Sequence, residues 1–309
     1  MRELADRGLV ERIAGSGTYV RQARGKGMTF GLLIPELGAT EIFEPICRGI
    51  AAAPQARDHA LLWGDTTDAL QLCEQYVRRR VNGVFFAPLE TGAEARETNL
   101  AIVAQLEQAR IPIVLLDRCV LPYPGRLHHD LVGIDNRRAG FLATDHLLAL
   151  GVRRVALIAN CSGASTIEAR ITGFREALFA RDREAEIHSI HRIETITAET
   201  VAPLLDNDGF VCANDRTAGE LMRTLQAGGY KIPQDFRIVG IDDVEYASLL
   251  PVPLTTVHQP CREIGEAAMA AMLERIARPK LFVRDILVEC RMVVRESCGS
   301  NTPNRFDSA

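Results

Sequence analysis

The sequence has no apolar run that approaches the length of a transmembrane helix. Its first apolar stretch is short and is interrupted by Arg7, Glu11 and Arg12, which is not the pattern of a signal peptide. We therefore expect no membrane span and a cytoplasmic location. A length of 309 residues exceeds one average domain, so two or three structural units are expected.

A strong charge of either sign is also lacking, since the formal net charge is only −4. The charges are unevenly spread. Residues 1–27 carry six Lys or Arg against three Asp or Glu, whereas the remainder carries thirty against thirty-seven. The chain as a whole therefore offers no basic field for nucleic acid. The asymmetry indicates a short basic piece joined to an acidic effector-type body.

The eight cysteines are scattered, and no Cys-x-x-Cys pair occurs. Cys212 lies in a strand pattern, while Cys47 and Cys73 lie on helix patterns, which favours buried free thiols in a reducing compartment. Cys290 and Cys298 lie near the end of the chain, where we expect greater exposure. A disulfide between these two is the less favoured alternative.

The usual catalytic motifs are missing. There is no G-x-G-x-x-G after the first strand, no phosphate-binding P-loop and no G-x-S-x-G elbow. The run His128-His129-Asp130 lies in a loop with proline and glycine and has no third ligand nearby in sequence, so we interpret it as a solvated loop. We expect no enzyme activity, no metal and no cofactor.

What is present is a regular alternation of strand and helix patterns from residue 29 onward. Repeated βα units of this kind predict parallel sheets with right-handed crossovers, which is the α/β class. The predicted strands of a first series are 29–34, 60–63, 83–87, 113–116 and 131–134. A second series has strands 155–159, 186–190, 209–213 and 236–241, with helices 137–150, 166–180, 197–205 and 215–227.

Two neighbouring stretches of the second series carry the strongest signal. Cys212-Ala-Asn-Asp-Arg-Thr-Ala-Gly and Phe236-Arg-Ile-Val-Gly-Ile-Asp-Asp predict strand, turn and helix, then strand and acidic loop. Asn214 and Asp242 thus lie beyond the carboxyl ends of adjacent parallel strands, where open α/β sheets bind small molecules. The ordered combination closely resembles the sugar-sensing domain of LacI-type repressors.

This resemblance implies a periplasmic-binding-protein type I-like fold, with two Rossmann-like lobes of parallel sheet and a ligand cleft between them. It implies that a helix over 261–277 packs on the first lobe and that a strand over 285–294 joins the second. The lobe boundaries that follow are 29–135 plus 258–286 for the first lobe, 136–257 plus 287–298 for the second, and a tail over 299–309.

The resemblance also implies which side chains hold the ligand. Arg170 stands where the family places an arginine that reaches hydroxyls or a carboxylate; the alternative is a solvated helix arginine. Asp242 would accept hydrogen bonds from vicinal hydroxyls, whereas Asp243 fits a strand-end cap better. Asn214 either contacts the ligand or caps the helix that follows it.

The first lobe and the return crossing contribute further candidates. Gln259 resembles a family ligand contact, and Phe43 either stacks on a ligand ring or packs in the core. Asp117 ends a strand of the first lobe, and three secondary candidates close the neighbouring strand ends: Glu36, Asp65 and Arg118.

The start of the chain has a second distinctive motif. Gly8-Leu-Val-Glu-Arg followed by Gly15-Ser-Gly-Thr-Tyr-Val predicts a helix end and then a β-hairpin, with strands over 9–13 and 18–20 joined by a turn at 15–17. Residues 1–21 resemble the last third of a GntR-type winged helix-turn-helix, with 22–28 as a linker. The DNA-contact candidates in this remnant are Arg2, Arg12, Gly15, Ser16, Gly17 and Thr18.

A recognition helix reads bases only when the helix before it braces it in the major groove. The sequence as given lacks those helices, so we expect that it does not bind an operator specifically. A start codon assigned too late or a truncated gene would account for this.

Together these features predict a ligand-responsive transcriptional regulator, in the simplest case a repressor, whose effector domain binds a sugar-like molecule and controls operator DNA. The family resemblance implies homodimers that match a palindromic operator. The alternative is a stand-alone solute-binding protein for transport or sensing, which would have the same fold.

Overall fold

The computed structural model describes residues 10–13, 17–20, 27–34, 41–64, 68–90, 92–161, 164–181 and 189–300. The predictions for Arg2, Gly15, Ser16, Glu36 and Asp65 lie outside the described residues.

The described elements alternate in the order that the sequence predicts. In chain order they are β1 (Val10–Ile13), β2 (Gly17–Val20), β3 (Thr29–Leu33), α1 (Phe43–Ala52), β4 (Ala60–Trp63), α2 (Ala69–Arg79), β5 (Gly83–Phe86), α3 (Gly92–Gln108), β6 (Ile113–Leu116), β7 (Asp130–Ile134), α4 (Asn136–Ala149), β8 (Val155–Ala159), α5 (Ser165–Ala180), β9 (Ser189–Arg192), α6 (Ala198–Val201), β10 (Gly209–Cys212), α7 (Asp215–Ala227), β11 (Arg237–Asp242), β12 (Thr255–His258), α8 (Cys261–Ala277), β13 (Asp285–Val288) and β14 (Arg291–Val293). Short 3-10 helices cover Pro54–Ala56, Ala202–Leu204 and Glu245–Ser248.

The leading residues form the predicted β-hairpin. Strands β1 and β2 pair antiparallel, with Val10 opposite Val20 and Arg12 opposite Thr18. Gly17, which the sequence placed in the turn, is instead the first residue of β2 and pairs with Ile13.

Two six-stranded sheets build the two lobes of the predicted α/β fold. The first has the order β13-β7-β6-β5-β3-β4 and is parallel throughout. The second has the order β14-β12-β11-β10-β8-β9 and is parallel except for the edge strand β14. The central strands β5, β6, β8 and β10 are buried along their whole length, as continuous apolar runs predict for sheets covered on both faces.

Polar residues at strand ends start the helices that follow. The side chains of Asp68, Asp135 and Asn214 accept hydrogen bonds from backbone N–H groups in the first turns of α2, α4 and α7. Each cap accepts a hydrogen bond from one of the backbone N–H groups that a helix start leaves unpaired. These capping residues therefore determine where the helices begin.

A glycine pair sets the distance between α4 and α5 in the second lobe. A Cβ atom at Gly173 would overlap the carbonyl oxygen of Arg137, and one at Gly140 would overlap the carbonyl oxygen of Arg170. The two backbones are therefore in direct contact at this crossing. The contact brings Arg170 on α5 beside Asn136 at the start of α4.

The return of the chain differs from the prediction. Helix α8 packs on the first lobe as expected, against α1 and the strands of that sheet. The predicted single strand 285–294 is two strands, because β13 pairs in parallel with β7 in the first sheet while β14 pairs antiparallel with β12 in the second. The crossing therefore lies at Glu289 and Cys290, between the two strands.

Two further predictions about the end of the chain and its loops were wrong. Cys290 and Cys298 are buried, and all eight cysteines are free thiols. Asp130 is not part of a solvated loop: it is fully buried as the first residue of β7 and forms ion pairs with Arg275 at 2.8 Å and Arg284 at 3.4 Å. These arginines hold the return strand β13 against β7.

Candidate ligand site between the lobes

The predicted ligand residues gather where the carboxyl ends of strands from both sheets face each other. Asp117 follows β6 in the first lobe, Asp242 ends β11 in the second, and Gln259 follows β12. Asn214 follows β10 at the same edge. The topology thus places these four side chains at one cleft, at the position where open parallel sheets bind small molecules.

Arg170 is the centre of the second-lobe half of this cleft. Its side chain is buried, and its Nε donates to the Asn136 side-chain oxygen at 2.8 Å. One terminal nitrogen donates to the Ala213 carbonyl, and the other donates to Asp242 Oδ1 at 3.0 Å and Gln259 Oε1 at 3.4 Å. The solvated-helix alternative is therefore wrong, and in this arrangement Arg170 holds the two polar groups that face the cleft.

Gln259 joins the two lobes. Its amide nitrogen donates to Asp117 Oδ1 at 3.0 Å, while its amide oxygen accepts from Arg170. Both Gln259 and Asp117 are buried. Two other contacts cross between the lobes, from the Cys119 N–H to Ser165 Oγ at 3.0 Å and from the Tyr246 hydroxyl to Glu41 at 3.2 Å. The polar cluster is continuous from one lobe to the other.

Arg118 forms the first-lobe half, although it was only a secondary candidate from the sequence. Its side chain is 4 % exposed, it is ion-paired with Glu90, and its guanidinium carbon lies 5.0 Å from the centre of the Phe43 ring. Its buried Nε has no hydrogen-bond partner among the described residues and lies 3.5 Å from Asp117 Oδ2. Its position in the sequence could have indicated this role, because Arg118 comes directly after the buried strand β6 and Asp117.

The structure bears on the two alternatives that the sequence left open, for Asn214 and for Phe43. The side-chain oxygen of Asn214 accepts from Thr217 N at 2.8 Å, so the N-cap interpretation is confirmed. Phe43 is the first residue of α1, is buried and lies under the Arg118 guanidinium. Phe43 therefore packs in the core here and supports Arg118 from below.

Backbone strain is concentrated at this cleft. Asp117, Asp242 and Asp243 have φ values of 66°, 129° and 57°, in the region that favours glycine. Such residues cost on the order of 1–3 kcal/mol each and persist where the surrounding contacts fix them. Asp243 is fixed by Arg295 at 2.6 Å and by His258 Nδ1 at 2.9 Å. These contacts agree with the expectation that Asp243 has a structural role at the strand end.

Burial dominates the electrostatics of the cleft carboxylates. It raises the pKa of Asp242 to about 8, while the nearby Arg170 guanidinium opposes that change and the charges of Asp215 and Asp117 add to it. Burial also raises the pKa of Asp215 to about 6, against hydrogen bonds from the Thr256 hydroxyl at 2.6 Å and the Val244 N–H at 3.0 Å. The sequence did not predict Asp215 or Asn136, which hold the site from behind.

The described residues contain no group of three His, Cys, Asp or Glu side chains that could hold a metal ion. Within the same residues, none of the helices is both long enough and apolar enough to cross a bilayer.

Comparisons with known proteins agree with the fold. A family model described as a periplasmic binding protein-like domain matches residues 144–298, half of the chain. An arabinose metabolism transcriptional repressor of Geobacillus stearothermophilus is 26% identical over 96% of this chain and 84% of its own length. An uncharacterised HTH-type transcriptional regulator of Streptomyces limosus is 31% identical over 78% of this chain and 68% of its own.

A solved structure extends this similarity to a ligand complex. The LacI family transcriptional regulator from Enterococcus faecium, crystallised with bound ribose, superposes with a TM-score of 0.72 at 26% identity. The match covers 87% of this chain and 98% of that one.

Proposed function

Because the chain belongs to the periplasmic binding protein-like family, we propose that it is a LacI-type transcriptional repressor whose effector domain binds a sugar between its lobes. The observation that carries this proposal is the continuous polar cluster from Asn136 through Arg170 and Gln259 to Asp117. A cluster that joins two lobes at their strand ends gives a ligand a direct means to change their arrangement.

The charges of the cleft favour an uncharged polyhydroxylated ligand. Its two arginines, Arg170 and Arg118, are already matched by Asp242, Asp117 and Glu90. A ligand carboxylate or phosphate would therefore find no unpaired positive charge in the cleft. Sugar hydroxyls suit this site, because they donate to carboxylates and accept from a guanidinium.

Regulation requires that the ligand bind one arrangement of the lobes better than another. The contacts Gln259–Asp117, Tyr246–Glu41 and Cys119–Ser165 are the ones that a change of arrangement would break or remake. A sugar that inserts its hydroxyls among Gln259, Asp117 and Asp242 changes which arrangement of the lobes is more stable. We expect this shift to change the separation of the DNA-binding heads in a homodimer.

We assign the hairpin β1–β2 to the wing of a winged helix-turn-helix. Its antiparallel pairing supports the assignment, with Arg12 opposite Thr18. The similarity to the arabinose repressor covers so much of this chain that it reaches into the residues before β3. We infer that this segment belongs to the operator-binding part of the regulator.

A thermal-shift panel tests the ligand class. Ribose and arabinose are compared with the matched anions ribonate and ribose 5-phosphate. A ligand present at a hundred times its Kd adds about 2.7 kcal/mol to the free energy of unfolding. We expect a neutral pentose to stabilise the chain and the anions to have no effect. Stabilisation by the anions alone would reject the neutral-sugar assignment.

A separate experiment, which measures operator binding, tests the repressor assignment. A gel shift uses the protein in its native, full-length form with its upstream operator region, with and without the stabilising pentose. We expect the pentose to change the affinity for the operator. An affinity that stays constant at saturating sugar would contradict the coupling.

A further inference from the structure

The edge of the first lobe opposite the cleft carries an unbalanced positive charge. All six strands of this sheet are parallel, so the loops before them lie along one edge. Backbone contacts confirm that neighbouring loops touch, from Asn82 N to Thr29 O at 2.7 Å and from Leu131 N to Arg284 O at 3.0 Å. We call five exposed residues along this line the basic edge: Arg57, Arg79, Arg80, Arg110 and Lys280.

None of the five side chains of the basic edge forms an ion pair with another described residue. Neighbouring cations behave differently, since Arg78 pairs with Glu74 at 2.9 Å and Arg284 pairs with Glu274 at 2.6 Å. A chain with a net charge of −4 thus keeps one edge positive.

Two of the arginines occupy strained backbone positions. Arg80, the C-cap of α2, has φ 52°, and Arg110, just after α3, has φ 57°. Glycine is the favoured residue for the left-handed end of a helix, and other residues cost about 1 kcal/mol or more there. A cation at a helix C-terminus recovers part of this cost through the helix dipole. The side chains are therefore held at this edge against the backbone preference.

The position of the linker identifies the partner. The chain enters β3 at Met28 and Thr29, so the segment that precedes the lobe leaves from the basic edge. Residues 1–27 are themselves basic, with six Lys or Arg against three Asp or Glu, and do not complement this edge. Six strands about 4.8 Å apart make an edge about 24 Å long. A duplex presents a dense line of phosphates over that length.

We propose that the basic edge binds the phosphate backbone of the DNA next to the operator, as a sequence-independent contact of the effector domain itself. The proposal rests on the proposed function, because the leading segment must bring DNA to this edge. Phosphate contacts of this kind position a protein and add affinity that falls with salt.

The test measures the binding of the full chain to a fluorescein-labelled duplex of random sequence, by fluorescence anisotropy over a range of salt concentrations. The key variant is Arg80→Gly with Arg110→Gly, which removes two charges and relieves the backbone strain. The matched control removes two exposed arginines elsewhere, Arg96→Gln with Arg175→Gln. A second control, Arg80→Lys with Arg110→Lys, keeps the charge.

We expect the glycine variant to lower the slope of log affinity against log salt by about 2, since each lost phosphate contact removes about 0.9. The lysine and control variants should match the parent, and the thermal midpoint of the glycine variant should not fall. The proposal is overturned if the glycine variant binds like the parent, if the parent does not bind the duplex at low salt, or if phosphatidylserine vesicles bind the parent as tightly as DNA does.

The pentose-induced thermal shift, measured on the same variants, separates the two proposals. If the parent responds to pentose and none of the DNA results holds, the basic edge is rejected and the sugar-responsive domain stands. If the DNA results hold and no pentose stabilises any variant, the sugar assignment fails and the basic edge stands.

Discussion

The two halves of the cleft are built differently around one arginine each. In the second lobe, Arg170 makes four hydrogen bonds to protein groups, and its partners Asn136 and Gln259 are buried. In the first lobe, Arg118 is equally buried but keeps an Nε without a hydrogen-bond partner among the described residues. A buried donor without a partner is costly. We therefore propose that the second-lobe arginine stabilises the site, whereas the first-lobe arginine is the one available to recognise a ligand.

The largest expected effect comes from Arg170→Ala. The change leaves the Asp242 carboxylate, the Asn136 side chain and the Ala213 carbonyl buried without their donor. Removing one partner of a buried ion pair costs about 3–5 kcal/mol. Urea unfolding measures the loss. The matched control is Arg175→Ala, an exposed arginine on the same helix, for which we expect a change within about 0.5 kcal/mol. If Arg170→Ala loses no more stability than Arg175→Ala, Arg170 does not stabilise the second-lobe half.

Arg118→Met tests the other half. Methionine keeps an apolar stem over Phe43 but removes the guanidinium, and with it the ion pair with Glu90 and a cation–π contact worth about 2 kcal/mol. A hydrogen bond from a charged group contributes about 1.5–3 kcal/mol, so we expect the pentose affinity to fall at least tenfold. Isothermal titration calorimetry gives the affinity, and urea unfolding gives the stability. Unchanged pentose affinity would mean that Arg118 is structural, like Arg170.

The support of the second-lobe half depends on the contact between α4 and α5. In Gly173→Ala, the new methyl group would overlap the Arg137 carbonyl, so the helices must separate and Arg170 must move away from Asn136. Overpacking of this kind costs about 1–3 kcal/mol. The control Gly219→Ala lies on α7, where the new methyl group would have no described neighbour closer than 3.6 Å, so helix propensity should make it neutral or stabilising. If both variants unfold at the same urea concentration, the close helix contact is not what fixes Arg170.

The sequence predicted where helices and strands lie more accurately than it predicted which of them contact each other. The limits of α7, 215–227, were predicted to the residue, because a buried strand, a capping Asn214 and a glycine pair bracket the helix. The split of 285–294 was missed, because two short, half-buried edge strands separated by Glu289 and Cys290 have the pattern of one longer strand. Alternation shows that a segment is extended, but not which sheet it joins.

The site shows the same limit. Strand ends placed Asp117, Asp242 and Gln259 correctly at one cleft, since parallel strands share a carboxyl edge. The partners of Arg170 lie 34 to 89 residues away, and the ion pair of Asp130 with Arg275 joins positions 145 residues apart. No local pattern contains such pairs. This is why Asp130 was predicted to be solvated and why Arg118 was ranked below Arg170.

Per pH unit, the smallest expected effect is a pH dependence of at most about 1.4 kcal/mol for each group, and it connects the two halves. Burial raises the pKa of Asp242 to about 8, whereas an aspartate in the unfolded chain titrates near about 3.9. Between these values the folded protein holds a proton that the unfolded chain has released. The free energy of unfolding therefore decreases as pH rises from about 4 to about 8. Asp242→Asn should flatten this decrease, and any slope that remains belongs to Asp215, whose pKa burial raises to about 6.

Ligand binding should lower the pKa of Asp242, which is the opposite of what burial does. Sugar hydroxyls that donate to this carboxylate favour its charged form, so binding below pH 8 releases a proton. We expect the pentose Kd to decrease as pH rises from 6 to 8, by at most tenfold per pH unit. Calorimetry in two buffers with different ionisation enthalpies measures the released proton directly. Proton release that is equally large in Asp242→Asn would assign the linkage to another group. Release that disappears in this variant would show that the second-lobe half also contacts the sugar, through the carboxylate that Arg170 holds in place.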